Sequence, residues 1–157
     1  MDKRKKYLSL CISLITLSVF CLTGCGKEKT TVEESYSINE VTAMRINADT
    51  WNTDIMVSAD ENIHIHFDGS ISNGEEKPST SLQNGILSVT QQGNSEGLQD
   101  QISLGKKGQI TIYLPSECNI PLTLENGMGD IEIDSISTQE FSLNNSSGYA
   151  TISSVTA

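Results

Sequence analysis

Strict alternation of apolar and polar residues recurs along this chain from Met44 onward, and it restricts the fold to one built from strands. Successive side chains of a strand point to opposite faces, so this alternation indicates half-buried strands. The intervening residues are rich in Asn, Asp, Ser and Gly, which favour turns, and no window shows a helical apolar stripe. The pattern predicts an all-β chain with nine strands, centred on residues 44–46, 55–57, 63–67, 87–89, 110–114, 122–124, 131–133, 141–143 and 150–152.

Two stretches near the C-terminus repeat each other at an offset of 19 residues. Residues 122–136 align without a gap on residues 141–155, which places Gly129 on Gly148. A fixed period of this size is typical of solenoids, in which each coil stacks its inward apolar residues on those of the next. The glycines are expected at turns, where φ is positive or close stacking excludes a Cβ. The repeat predicts a single-stranded β-solenoid or β-helix-like domain, with an antiparallel β-sandwich as the alternative.

Two longer spacings interrupt the alternation. Residues 68–86 and 90–109 are polar and rich in Ser, Gly, Asn and Gln, so they are predicted to be surface insertions. The last residue, Ala157, corresponds to Thr138 one repeat earlier, so the last coil carries no polar cap. Because an uncapped coil offers free strand edges, we expect either a truncated reading frame or self-association through the C-terminal coil.

Short motifs in the second half of the chain resemble a known family. Residues 108–116 read Gly-Gln-Ile-Thr-Ile-Tyr-Leu-Pro-Ser, and residues 122–133 read Leu-Thr-Leu-Glu-Asn-Gly-Met-Gly-Asp-Ile-Glu-Ile. A strand that ends in Leu-Pro and leads into coils with Gly-Asp-Ile-Glu-Ile resembles the bacterial "putative adhesin" family of β-strand repeats (DUF4097-type). The resemblance extends over residues 41–157. It implies a stacked β architecture at the cell envelope and no catalytic residue.

The N-terminus has the order of a bacterial lipoprotein signal. Basic residues 3–6 precede an apolar run at residues 7–22, which is shorter than the roughly 20 residues of a membrane span. Leu-Thr-Gly-Cys at residues 22–25 resembles the lipobox. That resemblance implies transfer of a diacylglyceryl group to the Cys25 sulfur and cleavage between Gly24 and Cys25. A plain secretory signal or an uncleaved anchor, with Cys25 incidental, is the alternative.

These signals predict three segments and a location. Residues 1–24 are a lipoprotein signal peptide, residues 25–40 comprise lipidated Cys25 and a polar tether, and residues 41–157 form the β-repeat domain. A tether of this length reaches at most about 50 Å when extended, enough to lift a domain off the lipid. The protein is expected on the extracytoplasmic side of the cell membrane, held by acyl chains of the palmitate type on Cys25.

Charge and cysteine content narrow the function classes. The full chain has a net charge of −10, and removal of residues 1–24 leaves six basic and 19 acidic residues, hence −13. A surface with this negative charge is repelled by nucleic acids and by anionic lipid headgroups. The lipid on Cys25 alone is therefore expected to contact the membrane. Cys11 and Cys21 lie in residues 1–24 and are removed with them. If Cys25 is acylated, Cys118 is the one thiol that remains, so no intrachain disulfide is expected. Cys118 is interpreted as a core residue.

His64 and His66 alternate on one predicted strand, so both imidazoles point to the same face. A metal pair would need a third ligand, and Asp68 is the nearest residue in register. The chain has no further His and no suitably placed Cys to complete a zinc set. Solvated strand residues are therefore the preferred interpretation, and no metal or cofactor is predicted.

A second alternating set on one predicted strand consists of three carboxylates, Asp130, Glu132 and Asp134, here called the acidic row. Paired-carboxylate catalysis or calcium binding would use such a row. A charged outer face that keeps strands soluble and blocks edge pairing is the preferred interpretation. Trp51 and Tyr149 are candidate sugar-stacking residues, although single aromatic residues at turns more often pack locally. The sequence shows no nucleophile elbow, phosphate loop or cofactor motif.

Two functional hypotheses follow. The first is a non-enzymatic, lipid-anchored envelope module for adhesion, scaffolding or stress sensing, with an envelope protein or glycan as its partner. The second is a polysaccharide-active enzyme of the β-helix type that uses the surface carboxylates of the acidic row. The absence of a companion basic residue near those carboxylates favours the first hypothesis.

Overall fold

In the computed structural model all nine predicted segments lie in strands, and the described residues are 28–71, 76–93 and 108–157. The chain is all-β, as predicted. These ranges contain eleven strands and one short 3₁₀ helix, η1 (Ile38–Glu40): β1 (Glu28–Ser37), β2 (Ala43–Ala48), β3 (Asn52–Val57), β4 (Asn62–Ile71), β5 (Ser79–Gln83), β6 (Ile86–Gln91), β7 (Gln109–Leu114), β8 (Pro121–Asn126), β9 (Ile131–Ser137), β10 (Glu140–Asn145) and β11 (Ala150–Thr156).

The strands form two mixed sheets. Sheet A has the order β1-β4-β7-β3-β9-β11, and sheet B has the order β10-β8-β2-β6-β5. Pairing is parallel between β7, β3, β9 and β11 and between β10, β8, β2 and β6, whereas β1, β4 and β5 pair antiparallel to their neighbours. The domain is a β-solenoid-like fold with an antiparallel end.

Four coils build the parallel part, and each contributes one strand to each sheet. They are β2/β3, β6/β7, β8/β9 and β10/β11. Along the stack the order is β6/β7, β2/β3, β8/β9, β10/β11, because β2 pairs with both β6 and β8, and β3 pairs with both β7 and β9. The coil order thus differs from the chain order, which the sequence did not predict.

Each coil buries the same alternating positions. In sheet B, Ile46 pairs with Val89 and Leu124, and in sheet A, Ile55 pairs with Ile112 and Ile133. All of them are almost fully buried. Since burial of such a side chain contributes roughly 1.5 to 3 kcal/mol, these rows fix the register of the coils.

The 19-residue repeat is confirmed as the spacing of the last two coils. β10 pairs with β8 and β11 pairs with β9 in parallel, each at an offset of 19, so Leu143 lies on Leu124 and Ile152 on Ile133. The repeated glycines lie at the turns, as predicted. Gly148 has a φ of +90°, and a Cβ on Gly129 would lie 1.9 Å from the Trp51 carbonyl oxygen.

The predicted polar tether differs from the structure, because residues 28–37 form strand β1. This strand pairs with β4 along its whole length, from Glu28–Ile71 to Ser37–Asn62. Its inward positions include Val32 and Tyr36, which pack against the core, but also Thr30 and Glu34. The polar inward residues hide the alternation in the sequence. Two residues, Gly26 and Lys27, therefore separate Cys25 from Glu28, the first residue of β1.

A second strand, β5, lies within the predicted insertion at residues 68–86, and β4 extends to Ile71. β5 and β6 form a hairpin whose central residues, Asn84 and Gly85, have φ values of 51° and 80°. Positive φ at both positions is what a type I′ turn requires, and Asn-Gly favours it. The middle of the other insertion, residues 94–107, lies outside the described residues.

Candidate functional site

A row of amide side chains closes the corner where the strands of sheet B end. Gln91 on β6, Asn126 on β8 and Asn145 on β10 occupy the same inward position, which Ala48 occupies on β2. Side chains at this position face the backbone of the turn into sheet A. Because backbone groups that leave a ladder need new partners when buried, a side-chain amide at this point stabilises the turn.

Asn126 makes the most extensive contacts of the row. Its Nδ2 donates to the Gly129 carbonyl (2.6 Å), to the Asn145 Oδ1 (2.7 Å) and to the Ser147 carbonyl (3.2 Å). Its Oδ1 is buried and has no hydrogen-bond partner among the described residues. Asn145 repeats the motif one coil later, since its Nδ2 donates to the Gly148 carbonyl at 3.1 Å. The amide row thus links successive coils.

Gln91 stabilises the equivalent turn from β6, which lies on the opposite side of β2 from β8. Its Oε1 accepts the backbone N–H groups of Thr50 (2.9 Å) and Trp51 (3.1 Å), and its Nε2 donates to the Thr50 Oγ1. Ala48 is too short for these contacts, so the neighbouring coil supplies them.

Trp51 belongs to this corner as a packing residue. Its side chain is 3% exposed, and a Cβ on Gly108 would lie 2.1 Å from its ring, while one on Gly69 would lie 2.7 Å away. The indole therefore fills the space that these glycines leave. The sugar-stacking role considered for Trp51 is wrong for this structure, whereas Tyr149 is 83% exposed.

A polar cleft of about 390 Å³ lies on the outer side of the same corner. Its walls come from the outer face of sheet B and from the turns that follow the strands, so all four coils contribute to it. The lining residues are Asn47, Asp49, Gln92, Gly93, Glu125, Asn126, Gly127, Asn144 and Ser146. This volume is at the lower end of the range of small-molecule sites.

The cleft carries hydrogen-bonding groups and negative charge. Asp49 and Glu125 supply carboxylates, and Asn47 and Asn144 supply amides. Asp49 is held in place because its Oδ2 accepts the Gly93 N–H at 3.1 Å. Such a set suits hydroxyl-rich or cationic compounds. The sequence analysis missed this cleft, although the 19-residue offset of Glu125 and Asn144 was a signal that they stack.

His64 and His66 lie on the outer face of sheet A, as predicted. His64 does not turn toward Asp68. Instead its Nε2 contacts both carboxylate oxygens of Asp60, at 3.0 and 3.1 Å. The backbone N–H of Asn62, followed by His64, lowers the pKa of Asp60 to about 2.

Asp68, the candidate third ligand, contacts a different partner. Its carboxylate pairs with Lys29 on β1 at 3.8 Å. Within residues 28–71, 76–93 and 108–157, no group of three His, Cys, Asp or Glu side chains is placed to hold a metal ion.

The acidic row is exposed, and its members contact different neighbours. Asp130 Oδ1 accepts the Tyr149 N–H at 3.0 Å, and Asp134 accepts the N–H of the next residue. Glu132 lies beside Asp54 of the neighbouring coil. Burial raises the pKa of Asp54, Gln109 lowers it through a hydrogen bond, and the charge of Glu132 raises it. This cross-strand carboxylate pair was not predicted, because its two residues are far apart in the sequence.

Cys118 is buried in the core, as predicted, and burial raises the pKa of its thiol. Gly24 and Cys25 lie outside the described residues, so the lipobox stays a prediction. No helix among the described residues is long and apolar enough to span a membrane.

At the antiparallel end of the solenoid, Tyr36, Glu34 and Thr80 form a hydrogen-bonded cluster that joins β1 of sheet A to β5 of sheet B. The Tyr36 hydroxyl donates to Glu34 Oε2 at 2.6 Å and also contacts the Thr80 hydroxyl. Burial, together with the Glu34 carboxylate, raises the pKa of Tyr36 to about 12. The cluster closes the space between the two sheets at this end.

Residues 41–157 match the profile of the family described as Toastrack DUF4097. The match covers all four coils and the strands β4 and β5, whose geometry is described above. The chain belongs to the Toastrack DUF4097 family. The family resemblance inferred from the Gly-Asp-Ile-Glu-Ile motif is thereby confirmed, and strand β1 lies before the matched residues. No curated protein matches the sequence.

Three solved structures that match this chain carry names that refer to adhesion. A "putative cell adhesion protein" from Clostridium sporogenes ATCC 15579 superposes with a TM-score of 0.56 at 19% identity, over 73% of this chain and 56% of its own. A "putative adhesin" from Parabacteroides merdae ATCC 43184 gives 0.40 at 11% identity, over 80% and 57%. Another from Bacteroides fragilis NCTC 9343 gives 0.39 at 12% identity, over 77% and 60%.

The likeness to the Clostridium sporogenes structure concerns the fold alone and says nothing about a ligand. The chain spans somewhat more than half the length of each of the three structures. Their names describe adhesion and not an enzymatic activity.

Proposed function

We propose that this Toastrack protein is a lipid-anchored, non-enzymatic envelope module that displays its solenoid surface to an envelope protein or glycan. The observation that carries the proposal is the short distance between the lipobox and the fold. Only Gly26 and Lys27 separate Cys25 from β1, which begins at Glu28. Cleavage before Cys25 would remove the leader and would leave the lipidated residue directly beside the folded domain.

This spacing changes the expected position of the domain. Three residues extend at most about 11 Å, against about 50 Å for the predicted tether. The domain would then stay near the bilayer. Since charges are screened within about 8 Å at physiological ionic strength, its acidic surface tolerates this position without binding the headgroups.

The arrangement of the titratable groups supports a role in binding. Among the described residues, the shifted pKa values belong to Tyr36, Asp54, Asp60 and Cys118. Each of the four has a separate set of neighbours, and catalytic acids and bases would instead converge on one pocket. The polar cleft offers carboxylate, amide and hydroxyl groups for hydrogen bonding, so a hydroxyl-rich glycan is the partner it fits best.

The lipid anchor is tested by feeding cells an alkyne-labelled fatty acid and isolating the full-length protein. The native chain is expected to carry the label and to sediment with membranes. Cys25→Ser should lose both properties, whereas Cys21→Ser, the matched control four residues earlier, should retain them. Equal labelling of the native chain and Cys25→Ser would refute the anchor.

The binding role is tested by placing a photo-crosslinking amino acid at Asn144 in the cleft. The control position is Thr31, on the outer face of β1. Crosslinking in live cells should give an adduct with an envelope glycan or protein at Asn144 and none at Thr31. If neither position gives an adduct, or both give the same one, the cleft is not the binding surface.

A further inference from the structure

The carboxylate of Asp49 is held at the polar cleft between glycines of the two neighbouring coils. Its Oδ2 accepts the Gly93 N–H at 3.1 Å, and a Cβ on Gly93 would lie 2.7 Å from the same oxygen. On the other side, a Cβ on Gly127 would overlap the Asp49 Oδ1. A side chain at either position would therefore displace the carboxylate, so both glycines leave it room in the wall of the cleft.

Glu125 adds a second carboxylate on the same outward face. It lies in register with Asn47 of β2 and with Asn144 of β10, and Asp49 follows Asn47 by two residues. Since side chains two residues apart in a strand share a face, the Asp49 and Glu125 carboxylates belong to one surface. Sheet B continues on both sides of β2 and β8, so neither carboxylate lies at a sheet edge.

The cleft is negatively charged and rich in hydrogen-bond acceptors. None of the residues that line it is basic. Beside a half-buried carboxylate such as that of Asp49, an opposite charge is attracted more strongly than in bulk water. Asn126, another lining residue, is 3% exposed, and its Oδ1 has no hydrogen-bond partner among the described residues. A buried acceptor favours a donor beside it, so charge and hydrogen bonding both select a positively charged donor.

An ammonium group fits this cleft better than a metal ion does. Ca²⁺ takes roughly six to eight oxygen ligands, with carboxylates prominent among them. In the part of the chain that the structure describes, no three His, Cys, Asp or Glu side chains are placed to hold a metal. The volume of about 390 Å³ is that of a site for an organic ligand. Amide and hydroxyl groups of Asn47, Asn144 and Ser146 remain for the hydroxyls of such a ligand.

We infer that the cleft selects a glycan whose sugar units carry free amino groups. The inference rests on the proposed function and names the class of glycan. The protonated amine donates to the carboxylates of Asp49 and Glu125, and the sugar hydroxyls bond to the amides beside them. Charge-assisted hydrogen bonds are about twice as strong as neutral ones. Acetylation of the amine removes its charge and leaves a single N–H, so the N-acetylated glycan binds less tightly.

The first test compares three probes of equal length by calorimetric titration of the full-length chain in detergent. They are an oligomer of glucosamine, an oligomer of N-acetylglucosamine and an oligomer of lysine. The glucosamine oligomer is expected to bind about tenfold tighter or more than either of the others.

Each other outcome of this titration has its own meaning. Equal binding of the two sugar oligomers would refute the selection of an amine and leave a glycan partner in place. A lysine oligomer that binds as tightly as the glucosamine oligomer would show that charge alone is recognised, which overturns the inference. Binding of neither sugar would also overturn it, and the crosslinking at Asn144 then decides separately whether the cleft has another partner.

The second test removes one negative charge at a time. Glu125→Gln changes the cleft, and Glu33→Gln, on the outer face of β1, is the matched control. Circular dichroism verifies that both variants fold. Glu125→Gln should weaken binding of the glucosamine oligomer about tenfold, whereas Glu33→Gln should change it about twofold or less, because a distant exposed charge is screened by salt. Equal weakening by the two variants would assign the binding to general attraction by the acidic surface and would sink the inference.

Discussion

Asn126→Ala tests whether the amide row holds the coils together. The substitution removes three hydrogen bonds, at 2.6, 2.7 and 3.2 Å, from a side chain that is 3% exposed. At a net contribution of about 0.5 to 1.5 kcal/mol each, their loss costs roughly 2 to 4 kcal/mol. Removal of the unpartnered Oδ1 offsets a part of this cost, so the lower half of that range is expected.

Asn145→Ala is the matched control for this prediction. Asn145 has the same place in the next coil, but it is half-buried; its Nδ2 donates to the Gly148 carbonyl and its Oδ1 accepts from the Asn126 Nδ2. Its truncation should cost about 1 to 2 kcal/mol, because two hydrogen bonds are lost at a partly exposed site. Comparison of the two variants separates the effect of burial and hydrogen-bond number from the effect of losing an asparagine.

The assay is urea unfolding of residues 26–157, followed by the fluorescence of Trp51. This tryptophan is the single one in the sequence and lies buried at the same corner. With an m-value of about 1 to 3 kcal/mol per molar urea, the midpoint for Asn126→Ala should fall by about 1 M or more. Equal midpoints for the Asn126→Ala and Asn145→Ala variants would refute the role given to the buried amide.

Three further outcomes are expected. Thr53→Val should stabilise the domain by about 1 kcal/mol in the same urea assay, because the buried Thr53 hydroxyl has no hydrogen-bond partner among the described residues. Gly108→Ala should destabilise by about 3 kcal/mol or more, since its Cβ would lie 2.1 Å from the Trp51 ring; Gly93→Ala, which meets flexible side chains, should cost less. The Tyr36 hydroxyl should titrate near pH 12 in absorbance measurements, and the stability that its raised pKa contributes should be lost as pH rises from about 10 to 12.

The sequence was sufficient to predict the strands that bury apolar rows. All nine predicted segments are strands, and the offset of 19 residues gave the register of β10 on β8 and of β11 on β9. Both results have the same physical cause. Positions that stack in a solenoid must be apolar in every coil, so the period of the pattern is also the spacing of the coils.

The two missed strands show where this reasoning stops. β1 carries Glu34 and Thr30 on its inward face, and β5 is mostly Ser and Thr, so neither shows apolar alternation. They lie at the end of the stack, where the inner face is only partly covered and polar side chains such as Tyr36 and Thr80 find partners. Asn84-Gly85 was a readable hairpin signal for β5, whereas β1 had no comparable signal.

The order of the coils could not be predicted from the sequence, for a different reason. Most inward positions of the coils hold Ile, Leu, Val or Met, so one apolar row fits several neighbours equally well. The choice is made by single residues at the corner: Ala48 leaves the turn after β2 without an amide, and Gln91 supplies it only if β6 lies beside β2. The same corner forms the polar cleft, so a candidate binding surface was missed together with the coil order.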